Sequence, residues 1–458
     1  MAAGGTMKRV VIAGASSGVG KTTITAAIMA ALTRRGTKVA PFKVGPDYID
    51  PQFHRRACGR ASSNLDCHML GEDETIFLLQ RGLQGCDIGI IEGVMGLYDG
   101  GGKDGQSGST AELAKLTKTP VVLIIDGRGV STSAAATVLG FVKFRNDIEI
   151  KGIIVNGVSG RKHYELIKEA VEEHAGVTCI GYMLQSEEVS LKSRHLGLIQ
   201  ADEVESLDSL IESLADMAEE TMDLDSLEVI AGEAQVLPTA TDPFEDSKGL
   251  LEGLSIAYAF DEAFSFYYRD NLLLLQELGA RLLSFSPMRD ERLPEGADAL
   301  YIGGGYPEVF AKRLQENSSM RHHINEMLEG GMPAYAECGG LMYLTRGIQG
   351  LEGEWSDMTG FFPGRAVMSG RLQRFGYVEV CTREGACSIG HEFHRSYVEG
   401  MEDVETLYSI SRTSGGDRTW NCGYIRNNVL AGYPHIHFYS NPGFTMRIIS
   451  LLKGKGWA

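Results

Sequence analysis

Long hydrophobic runs are missing from this sequence. No apolar stretch approaches the roughly 20 residues that a membrane-spanning helix needs, and the first nine residues, Met1 to Arg9, contain no apolar signal core. We therefore expect a protein that has no membrane partner and works in the cytoplasm.

Positive charge is also scarce. The 43 lysine and arginine residues are outnumbered by 60 aspartate and glutamate residues, so the formal net charge is -17. A protein of that charge is poorly suited to bind the phosphate backbone of nucleic acids or an anionic membrane surface. We expect no nucleic-acid partner, and an anionic substrate would have to meet a local cluster of positive side chains.

Cysteine is present without a pattern. The eight cysteines form no Cys-x-x-Cys pair and follow no regular spacing. Neither a zinc site nor a disulfide framework is predicted. This absence also favours a reduced compartment such as the cytoplasm.

The length of 458 residues favours two domains, each with its own core. Short apolar strands alternate with helical stretches from residue 9 to 174, which predicts a mostly parallel sheet covered on both faces. An acidic helix is expected around Leu207, Ile211 and Leu214, and a second strand and helix series begins at Leu254. We place a first domain at 1–235, a linker at 236–250 and a second domain at 251–458.

A glycine-rich segment at 14–22, Gly-Ala-Ser-Ser-Gly-Val-Gly-Lys-Thr, resembles a phosphate-binding loop. It follows a strand and opens a helix, although Ala15 stands where the Gly-x-x-x-x-Gly-Lys-Thr pattern has its first glycine. Amides at a helix N-terminus can cradle phosphate oxygens, Lys21 can neutralise the β and γ charges, and Thr22 can join Mg²⁺. The alternative is a glycine-rich turn without a ligand. The predicted ATP-binding residues are Gly18, Val19, Gly20, Lys21, Thr22 and Thr23.

A phosphate loop usually has an acidic partner on a neighbouring strand that completes the Mg²⁺ shell. Glu92 ends the strand 88–92, and Asp47 lies just beyond the strand 38–44. Ligands of an open α/β sheet gather at such carboxyl ends of strands. Thr22, Asp47 and Glu92 are therefore the candidate metal ligands, unless the two acids are ordinary loop carboxylates.

Cys338 lies between a short strand and the start of a helix. Its small neighbours Ala336 and Gly340 permit the sharp turn that projects a nucleophile, and the helix N-terminus would favour its thiolate. The alternative is a buried structural cysteine. Gly304 and Gly305, after another strand, can offer backbone amides as an oxyanion hole, or they form a plain tight turn.

A thiol nucleophile needs a base, usually a histidine that is distant in sequence and near in space. His435 is the first candidate and His437 the second. His391 and His394 compete with them. A histidine that is merely packed in the core is the alternative for each.

Several long motifs follow one another along the chain: Ser17 to Thr22, Phe42 to Pro51, Ile91 to Gly100, Val130 to Ala136, Gly303 to Glu308, Ala334 to Leu344, Gly390 to Ser396 and Tyr433 to Phe438. With these motifs the chain resembles, along nearly its whole length, the cobyrinic acid a,c-diamide synthases and the similar nickel-sirohydrochlorin a,c-diamide synthases of methanogens. A set of ungapped motifs in the expected order is far more specific than either site alone.

The resemblance implies an α/β protein with two catalytic domains. The first would be an ATP-dependent synthetase domain similar to dethiobiotin synthetase, with the mostly parallel sheet of a P-loop NTPase. The second would be a class I glutamine amidotransferase domain with a flavodoxin-like α/β fold. ATP and Mg²⁺ would be the cofactors, L-glutamine and a tetrapyrrole polycarboxylate the small-molecule partners, and a homodimer is a possible assembly.

The resemblance also implies a reaction, that of a glutamine-hydrolysing carbon-nitrogen ligase. Cys338 would release ammonia from glutamine through a glutamyl thioester. ATP would phosphorylate a substrate carboxylate, and ammonia would displace phosphate from the acyl phosphate. Two rounds would amidate the a and c side chains of cobyrinate, in cobalamin biosynthesis, or of nickel-sirohydrochlorin, in coenzyme F430 biosynthesis and methanogenesis.

One departure from the wider amidotransferase pattern concerns the base. Triad enzymes carry His-x-Glu where this chain has His435-Ile436-His437, so the orienting carboxylate is absent. The resemblance favours a dyad of Cys338 and His435 and leaves open which histidine activates the thiol. It further implies that Asn156 lies on the adenine side of the nucleotide.

Two other functions fit parts of the sequence. A P-loop ATPase of the partitioning or metal-chaperone type would leave Cys338 structural and would hydrolyse ATP without regard to glutamine. A ligase that uses free ammonia would keep the glutaminase domain as a scaffold, although Cys338 and His435 are both present. A polyanionic substrate would need positive or polar contacts, for which the candidates are Lys43, Tyr48, Arg371, Arg374 and Arg395.

Overall fold

The computed structural model describes residues 7–101, 105–185, 193–194, 197–198, 207–413 and 418–457. Residues 1–6, the beginning of the segment in which no signal core is predicted, lie outside this part of the chain. The chain divides into two compact units, Met1–Thr241 and Asp242–Ala458. This division falls within the segment 236–250, for which the sequence predicts a linker.

Strands and helices alternate along the first unit. In chain order they are β1 (Arg9–Gly14), α1 (Lys21–Arg34), β2 (Val39–Val44), α2 (Asp50–Cys58), β3 (Ser63–Leu65), α3 (Cys67–Leu70), α4 (Glu72–Leu83), β4 (Ile88–Glu92), α5 (Thr110–Leu116), β5 (Val121–Asp126), α6 (Ser133–Phe144), β6 (Ile150–Val158), α7 (Arg161–Ala175), β7 (Thr178–Leu184), β8 (Ser193–Arg194), β9 (Gly197–Leu198), α8 (Leu207–Thr221) and α9 (Leu224–Gly232). α8 confirms the predicted acidic helix, since Leu207, Ile211 and Leu214 are buried in the core.

A seven-stranded sheet organises this unit in the order β3-β2-β4-β1-β5-β6-β7. Every neighbouring pair in it is parallel, which confirms the predicted architecture. β1 is buried at all six of its positions, because a parallel sheet is covered on both faces. The carboxyl ends of β1, β2 and β4 meet at the same edge of the sheet, so the residues that follow these strands come together there.

The second unit begins with a short 3₁₀ helix at Glu245–Ser247. Its other elements are β10 (Ser255–Ala259), α10 (Arg269–Glu277), β11 (Arg281–Phe285), β12 (Ala299–Ile302), α11 (Ala311–Glu316), α12 (Ser318–Glu329), β13 (Ala334–Glu337), α13 (Gly339–Leu344), β14 (Gly347–Gln349), β15 (Trp355–Asp357), β16 (Arg365–Met368), β17 (Arg374–Thr382), β18 (Cys387–His394), β19 (Ser396–Glu399), β20 (Glu405–Arg412), β21 (Thr419–Arg426), β22 (Val429–Gly432), β23 (His435–Ile436) and α14 (Pro442–Leu452). Within the described residues of both units, no helix is long and apolar enough to cross a membrane.

A ten-stranded mixed sheet organises the second unit in the order β11-β10-β12-β13-β22-β21-β20-β17-β18-β23. The strands from β11 to β22 pair in parallel, as the strand and helix series predicts. The strands from β22 to β23 pair antiparallel, an extension that the sequence does not predict. A separate four-stranded sheet has the order β15-β14-β16-β19. The large sheet carries Cys338 just after β13 and His435 on β23.

A disulfide joins Cys381 to Cys387, a single bond that the spacing of the cysteines, which predicts no disulfide framework, does not reveal. The two residues face each other across β17 and β18, which are joined by a short hairpin turn. Sequence spacing does not reveal such a cross-strand pair, because the pairing depends on strand register. The remaining cysteines, Cys338 among them, are free thiols.

Candidate active sites

The phosphate loop connects β1, which ends at Gly14, to α1, which begins at Lys21. Gly18 and Gly20 have φ angles of 74° and 94°, in the left-handed region that favours glycine. A Cβ atom on Gly20 would lie 2.4 Å from the side-chain amide nitrogen of Asn156. The loop therefore needs glycine both for its backbone path and for the close approach of β6. It presents its backbone amides at the N-terminus of a 14-residue helix, where anions bind favourably.

Lys21 is held inside this loop. Its ammonium group donates hydrogen bonds to the backbone oxygens of Ser16 (3.2 Å) and Met95 (2.5 Å). Burial, followed by the nearby charge of Lys43, lowers the pKa of Lys21 to about 8. A bound phosphate would raise that pKa again, because an opposite charge favours the protonated form. Anion binding and protonation of Lys21 therefore support each other.

Asn156 lies on β6, beside the phosphate loop. Its side-chain amide donates a hydrogen bond to the backbone oxygen of Val19 at 2.8 Å. This contact ties the loop to β6 at the residue before Gly20. Asn156, for which the sequence predicts a place on the adenine side, thus also positions the phosphate loop.

Glu92, at the end of β4, is fully buried beneath the loop. Its Oε1 accepts hydrogen bonds from the hydroxyl of Thr22 (2.8 Å) and the ammonium of Lys43 (2.9 Å). Its Oε2 lies 2.5 Å from Nε2 of His54, whose Nδ1 is 3.1 Å from the hydroxyl of Ser62. Burial raises the pKa of Glu92, but Lys43 and His54 outweigh it and hold that pKa well below its usual range. Glu92 is therefore a carboxylate at neutral pH.

Lys43 lies at the centre of this acidic cluster. Its ammonium group is 2.5 Å from a carboxylate oxygen of Asp50 and 2.9 Å from Glu92. Burial lowers the pKa of Lys43, but Asp50, Glu92 and Asp47 together raise it above its usual range. Lys43 is thus a buried cation that the protein's own carboxylates neutralise. This arrangement differs from the prediction that Lys43 contacts a substrate carboxylate.

Asp47 stabilises the turn that leads into α2. One of its carboxylate oxygens accepts hydrogen bonds from the backbone N–H groups of Ile49 (2.8 Å) and Asp50 (3.0 Å). Thr22, Glu92 and Asp47 offer only oxygen ligands, the donor type that Mg²⁺ prefers, and Thr22 and Glu92 touch at 2.8 Å. The residues present therefore fit a Mg²⁺ site. Asp47 is the one candidate ligand whose carboxylate is also used to begin a helix.

In the second unit, Cys338 forms the sharp turn between β13 and α13 that the sequence predicts. Its φ and ψ angles are 48° and −103°, a strained conformation for a residue with a side chain. A Cβ atom on Gly340 would lie 2.3 Å from the backbone oxygen of Ile302, and one on Gly339 would lie 2.9 Å from Pro307. The backbone N–H of Cys338 donates to the oxygen of Gly432 at 2.7 Å. Close packing on both sides therefore fixes the turn.

The thiol of Cys338 is protonated at rest. Its residue is 6% exposed, and burial, followed by the charge of Glu308, raises the pKa of the thiol far above its usual value. The sequence predicts the opposite, a thiolate favoured by the N-terminus of the adjoining helix. α13 has only six residues, and desolvation outweighs the partial charge of so short a helix. A base must therefore remove the proton during the reaction.

His435 lies on β23 and is 2% exposed. It pairs with His391 of β18 in the sheet, and the two rings are 5.4 Å apart. Burial, followed by the charges of His391 and His394, lowers the pKa of His435 well below its usual value. The ring of His435 is thus neutral and can accept a proton.

The other candidate histidines have contacts of their own. Nδ1 of His437 accepts a hydrogen bond from the backbone N–H of Tyr439 at 3.2 Å, and its Nε2 lies 4.0 Å from Asp270. His394 hydrogen-bonds the backbone oxygen of Ser396 at 2.7 Å through Nδ1, and its ring stacks on Tyr433 at 3.9 Å. These contacts fix both rings within the fold. His435 stays the first candidate for the base.

The glycine loop at 303–305 packs against residues of two candidate elements of the site. A Cβ atom on Gly304 would lie 2.3 Å from Cε1 of His435, and one on Gly339 would lie 3.1 Å from the backbone nitrogen of Gly305. The loop thus contacts both the ring of His435 and the residue after Cys338. The N–H of Gly304 donates to the oxygen of Phe266 at 3.3 Å, so of the two predicted oxyanion donors Gly305 is the less engaged. The backbone amide of Gly339, at the start of α13, lowers the pKa of the Cys338 thiol by hydrogen bonding, although burial outweighs it.

Both units match families of known proteins. Residues 10–199 match the CobQ/CobB/MinD/ParA nucleotide binding domain, and residues 255–443 match the CobB/CobQ-like glutamine amidotransferase domain. A cobyrinate a,c-diamide synthase of Listeria innocua is 44% identical over 450 residues, which cover 96% of this chain and 99% of that protein. The chain belongs to the cobyrinate a,c-diamide synthase family. It is accordingly a glutamine-hydrolysing ligase with a nucleotide-binding domain.

Other members of the synthase family are equally similar. The cobyrinate a,c-diamide synthase of Caldanaerobacter subterraneus is 44% identical over 94% of this chain and 95% of that protein. The one of Thermoplasma volcanium is 44% identical over 96% of both chains. The phosphate loop with Glu92 lies inside the matched nucleotide-binding domain, and Cys338 and His435 lie inside the matched amidotransferase domain.

The sequence does not predict several residues of the two candidate sites. Asp50 lies inside a motif that was used for the family resemblance, but His54 lies beyond it and carries no signal of its own. Glu337 directly precedes Cys338, and its carboxylate lies 3.9 Å from Nδ1 of His435. These contacts depend on the sheet register, which joins residues far apart in the chain.

Proposed function

We propose that this protein amidates the a and c carboxylates of cobyrinate, using ATP and the side-chain nitrogen of glutamine. The observation that carries the proposal is the presence in one chain of two separate candidate sites. One is a phosphate loop whose Thr22 touches the buried Glu92, and the other is a strained nucleophile turn at Cys338. The relatives that are 44% identical over nearly the whole chain are named cobyrinate a,c-diamide synthases, which supports the choice of macrocycle.

Glutamine hydrolysis would start at Cys338. As its sulfur attacks the side-chain amide carbon of glutamine, the thiol proton passes to the neutral ring of His435. The amides of Gly305 and Gly339 stabilise the oxyanion that forms. His435 then returns the proton to the leaving nitrogen, ammonia departs, and water hydrolyses the glutamyl thioester to glutamate and the free thiol.

Carboxylate activation would take place at the phosphate loop. Transfer of the terminal phosphate of ATP to a substrate carboxylate gives an acyl phosphate and ADP, and attack by ammonia gives the amide and phosphate. The first step is needed because a carboxylate is a poor electrophile. Lys21 and the loop amides balance the negative charge of the transferred group. Mg²⁺, held by Thr22 and Glu92 with Asp47, would supply further neutralisation of phosphate charge.

The macrocycle is the part of the proposal that needs a direct test. Nickel-sirohydrochlorin presents similar acetate and propionate arms, and its amidation would place the enzyme in coenzyme F430 biosynthesis. The relatives described above are cobyrinate a,c-diamide synthases, which favours cobyrinate and with it cobalamin biosynthesis.

Mass spectrometry of the product distinguishes the two substrates. The enzyme is incubated with ATP, Mg²⁺ and glutamine, and with cobyrinate or nickel-sirohydrochlorin in separate reactions. We expect two amide-for-acid mass changes on cobyrinate. Mass changes on nickel-sirohydrochlorin alone would assign the protein to coenzyme F430 biosynthesis. If the rate of ATP hydrolysis does not depend on glutamine and the mass of neither macrocycle changes, the result would instead favour a P-loop ATPase of the partitioning type.

A further inference from the structure

Glu337 links the strand that carries the nucleophile to the strand that carries the base. It is the last residue of β13, directly before Cys338, and is 2% exposed. Its Oε1 accepts a hydrogen bond from the backbone N–H of Ile436 at 3.0 Å. Its Oε2 lies 3.9 Å from Nδ1 of His435. One buried carboxylate thus reaches from beside the thiol to the ring that would activate it.

The surroundings of Glu337 are arranged for a negative charge. The hydroxyl of Tyr335 donates to Oε1 at 2.9 Å, and that of Tyr301 donates to Oε2 at 3.3 Å. Together with the N–H of Ile436, three donors point at this carboxylate, and hydrogen bonds to the charged form favour it. Burial acts in the other direction and raises the pKa of Glu337 to about 7. The carboxylate is therefore ionised above neutral pH and protonated below it.

Glu337 is a buried carboxylate within 4 Å of the ring of His435. His437, which stands where triad enzymes have their glutamate, accepts a hydrogen bond from Tyr439 and cannot supply negative charge. His391 and His394 oppose a positive charge on His435 and so disfavour the imidazolium that catalysis needs. Glu337, next to the ring of His435, can offset them.

We propose that Glu337 replaces the missing carboxylate of the triad. It orients His435 through Nδ1 and stabilises the imidazolium that forms when Cys338 gives up its proton. The 3.9 Å separation is longer than a hydrogen bond, and such contacts commonly tighten when the charge develops in the reacting complex. Glu337 acts through His435 and is thus a positioning residue. This inference rests on the proposed glutaminase reaction.

Glu337→Gln tests the inference, because glutamine keeps the shape and the acceptor for Ile436 and loses the charge. We expect kcat for glutamine hydrolysis to fall about 100-fold while KM changes by less than about threefold, the pattern of a lost proton-transfer partner. Synthesis from added ammonia should stay at the parent level. Glu405→Gln is the matched control, since it removes an exposed carboxylate that pairs with Arg383 and should leave both rates unchanged.

The pH profile separates positioning from a structural role. In the parent, glutaminase activity should rise as pH passes about 7, where Glu337 loses its proton. Glu337→Gln should lack this rise. Tyr301→Phe removes a donor to the carboxylate, so it should raise the pKa of Glu337 and move the rise to higher pH.

Other titratable groups remain in both variants, so they cannot account for such changes. They are the histidines that face His435, namely His391 and His394, and the tyrosines around Glu337 other than Tyr301, whose pKa values are raised by burial: Tyr267, Tyr335 and Tyr408. Only Tyr301 is altered, in the second variant.

Two results would overturn the inference. One is a Glu337→Gln enzyme whose kcat lies within about twofold of the parent, and the other is an unchanged rise near pH 7 in that variant. If Glu337→Gln loses synthesis from ammonia as well, the substitution has damaged the fold. The test is then Tyr301→Phe, which keeps the carboxylate: the inference holds only if its pH profile shifts to higher pH. Cys338→Ala is the reference: glutamine hydrolysis that survives in it would refute the proposed function itself.

Discussion

Replacing Lys43 with methionine should destabilise the first unit far more than removing a surface lysine. Lys43 is 2% exposed, and its ammonium lies 2.5 Å from Asp50 and 2.9 Å from Glu92. Methionine keeps the apolar stem and loses the charge. Two buried carboxylates then lose the cation that they share, and a buried charge without its partner is costly.

The loss in free energy of unfolding can be estimated from the hydrogen bonds that these carboxylates keep in the variant. Removing one member of a buried ion pair costs about 3–5 kcal/mol. Glu92 keeps its hydrogen bonds to Thr22 and His54, so we expect the lower end, about 3 kcal/mol. With a urea m-value of about 2 kcal/mol per molar, the unfolding midpoint should fall by about 1.5 M. Lys8→Met is the control, since it removes an exposed pair with Glu228 at 3.1 Å and should cost less than about 1 kcal/mol.

The assay must follow the two units separately. All three tryptophans, at positions 355, 420 and 457, belong to the second unit, so their fluorescence in a urea titration serves as an internal reference. Hydrogen exchange of the amides in β2 and α2, measured by mass spectrometry, reports the first unit. We expect these amides to lose protection in Lys43→Met and to keep it in Lys8→Met. Equal protection in the two variants would refute the reasoning, because it would mean that the buried acids do not depend on Lys43 for their charge balance.

Three further predictions concern catalysis and nucleotide binding. Cys338→Ala should abolish synthesis from glutamine and leave synthesis from high ammonia largely intact, as product mass spectrometry would check; loss of both would contradict two separate sites. Lys21→Ala should remove synthesis from either nitrogen source while glutaminase survives, and retained synthesis would place activation elsewhere. Gly20→Ala should weaken ATP binding in calorimetry about tenfold or more, because a Cβ there meets Asn156 at 2.4 Å and φ is 94°. Gly36→Ala, with φ 86° and no atom within 4 Å, should bind ATP like the parent.

The sequence predicts those parts of the fold and of the sites whose residues lie close together in the chain. The phosphate loop needs its glycines, Lys21 and Thr22 within a few residues of one strand and one helix. The nucleophile turn needs small residues beside Cys338. The parallel sheet follows from apolar runs that are buried on both faces. In each case the same few residues determine the chemistry and the backbone conformation of the segment. A single sequence is therefore enough to predict the chemistry and the conformation together.

What the sequence does not predict depends on contacts between distant segments. His54 reaches Glu92 across 38 positions, and Ile436 reaches Glu337 across 99. The disulfide depends on the register of a hairpin, in which Cys381 stands opposite Cys387. The prediction of a thiolate at Cys338 was wrong for a related reason. The helix N-terminus is visible in the sequence, whereas the burial that outweighs it is a property of the packed structure.

The residues of the two candidate sites differ in their charge at rest. The residues beside the phosphate loop carry permanent charges, since Lys43 and Glu92 are both ionised. In the proposed reaction they would meet the charges of ATP and of a carboxylate substrate. Cys338 and His435 are neutral at rest. In the proposed glutaminase reaction, the thiolate and the imidazolium therefore appear together, when the substrate is attacked. A charge that exists only during the reaction is best stabilised by a group that is fixed beforehand. Glu337, held by three hydrogen-bond donors, meets that requirement next to the histidine.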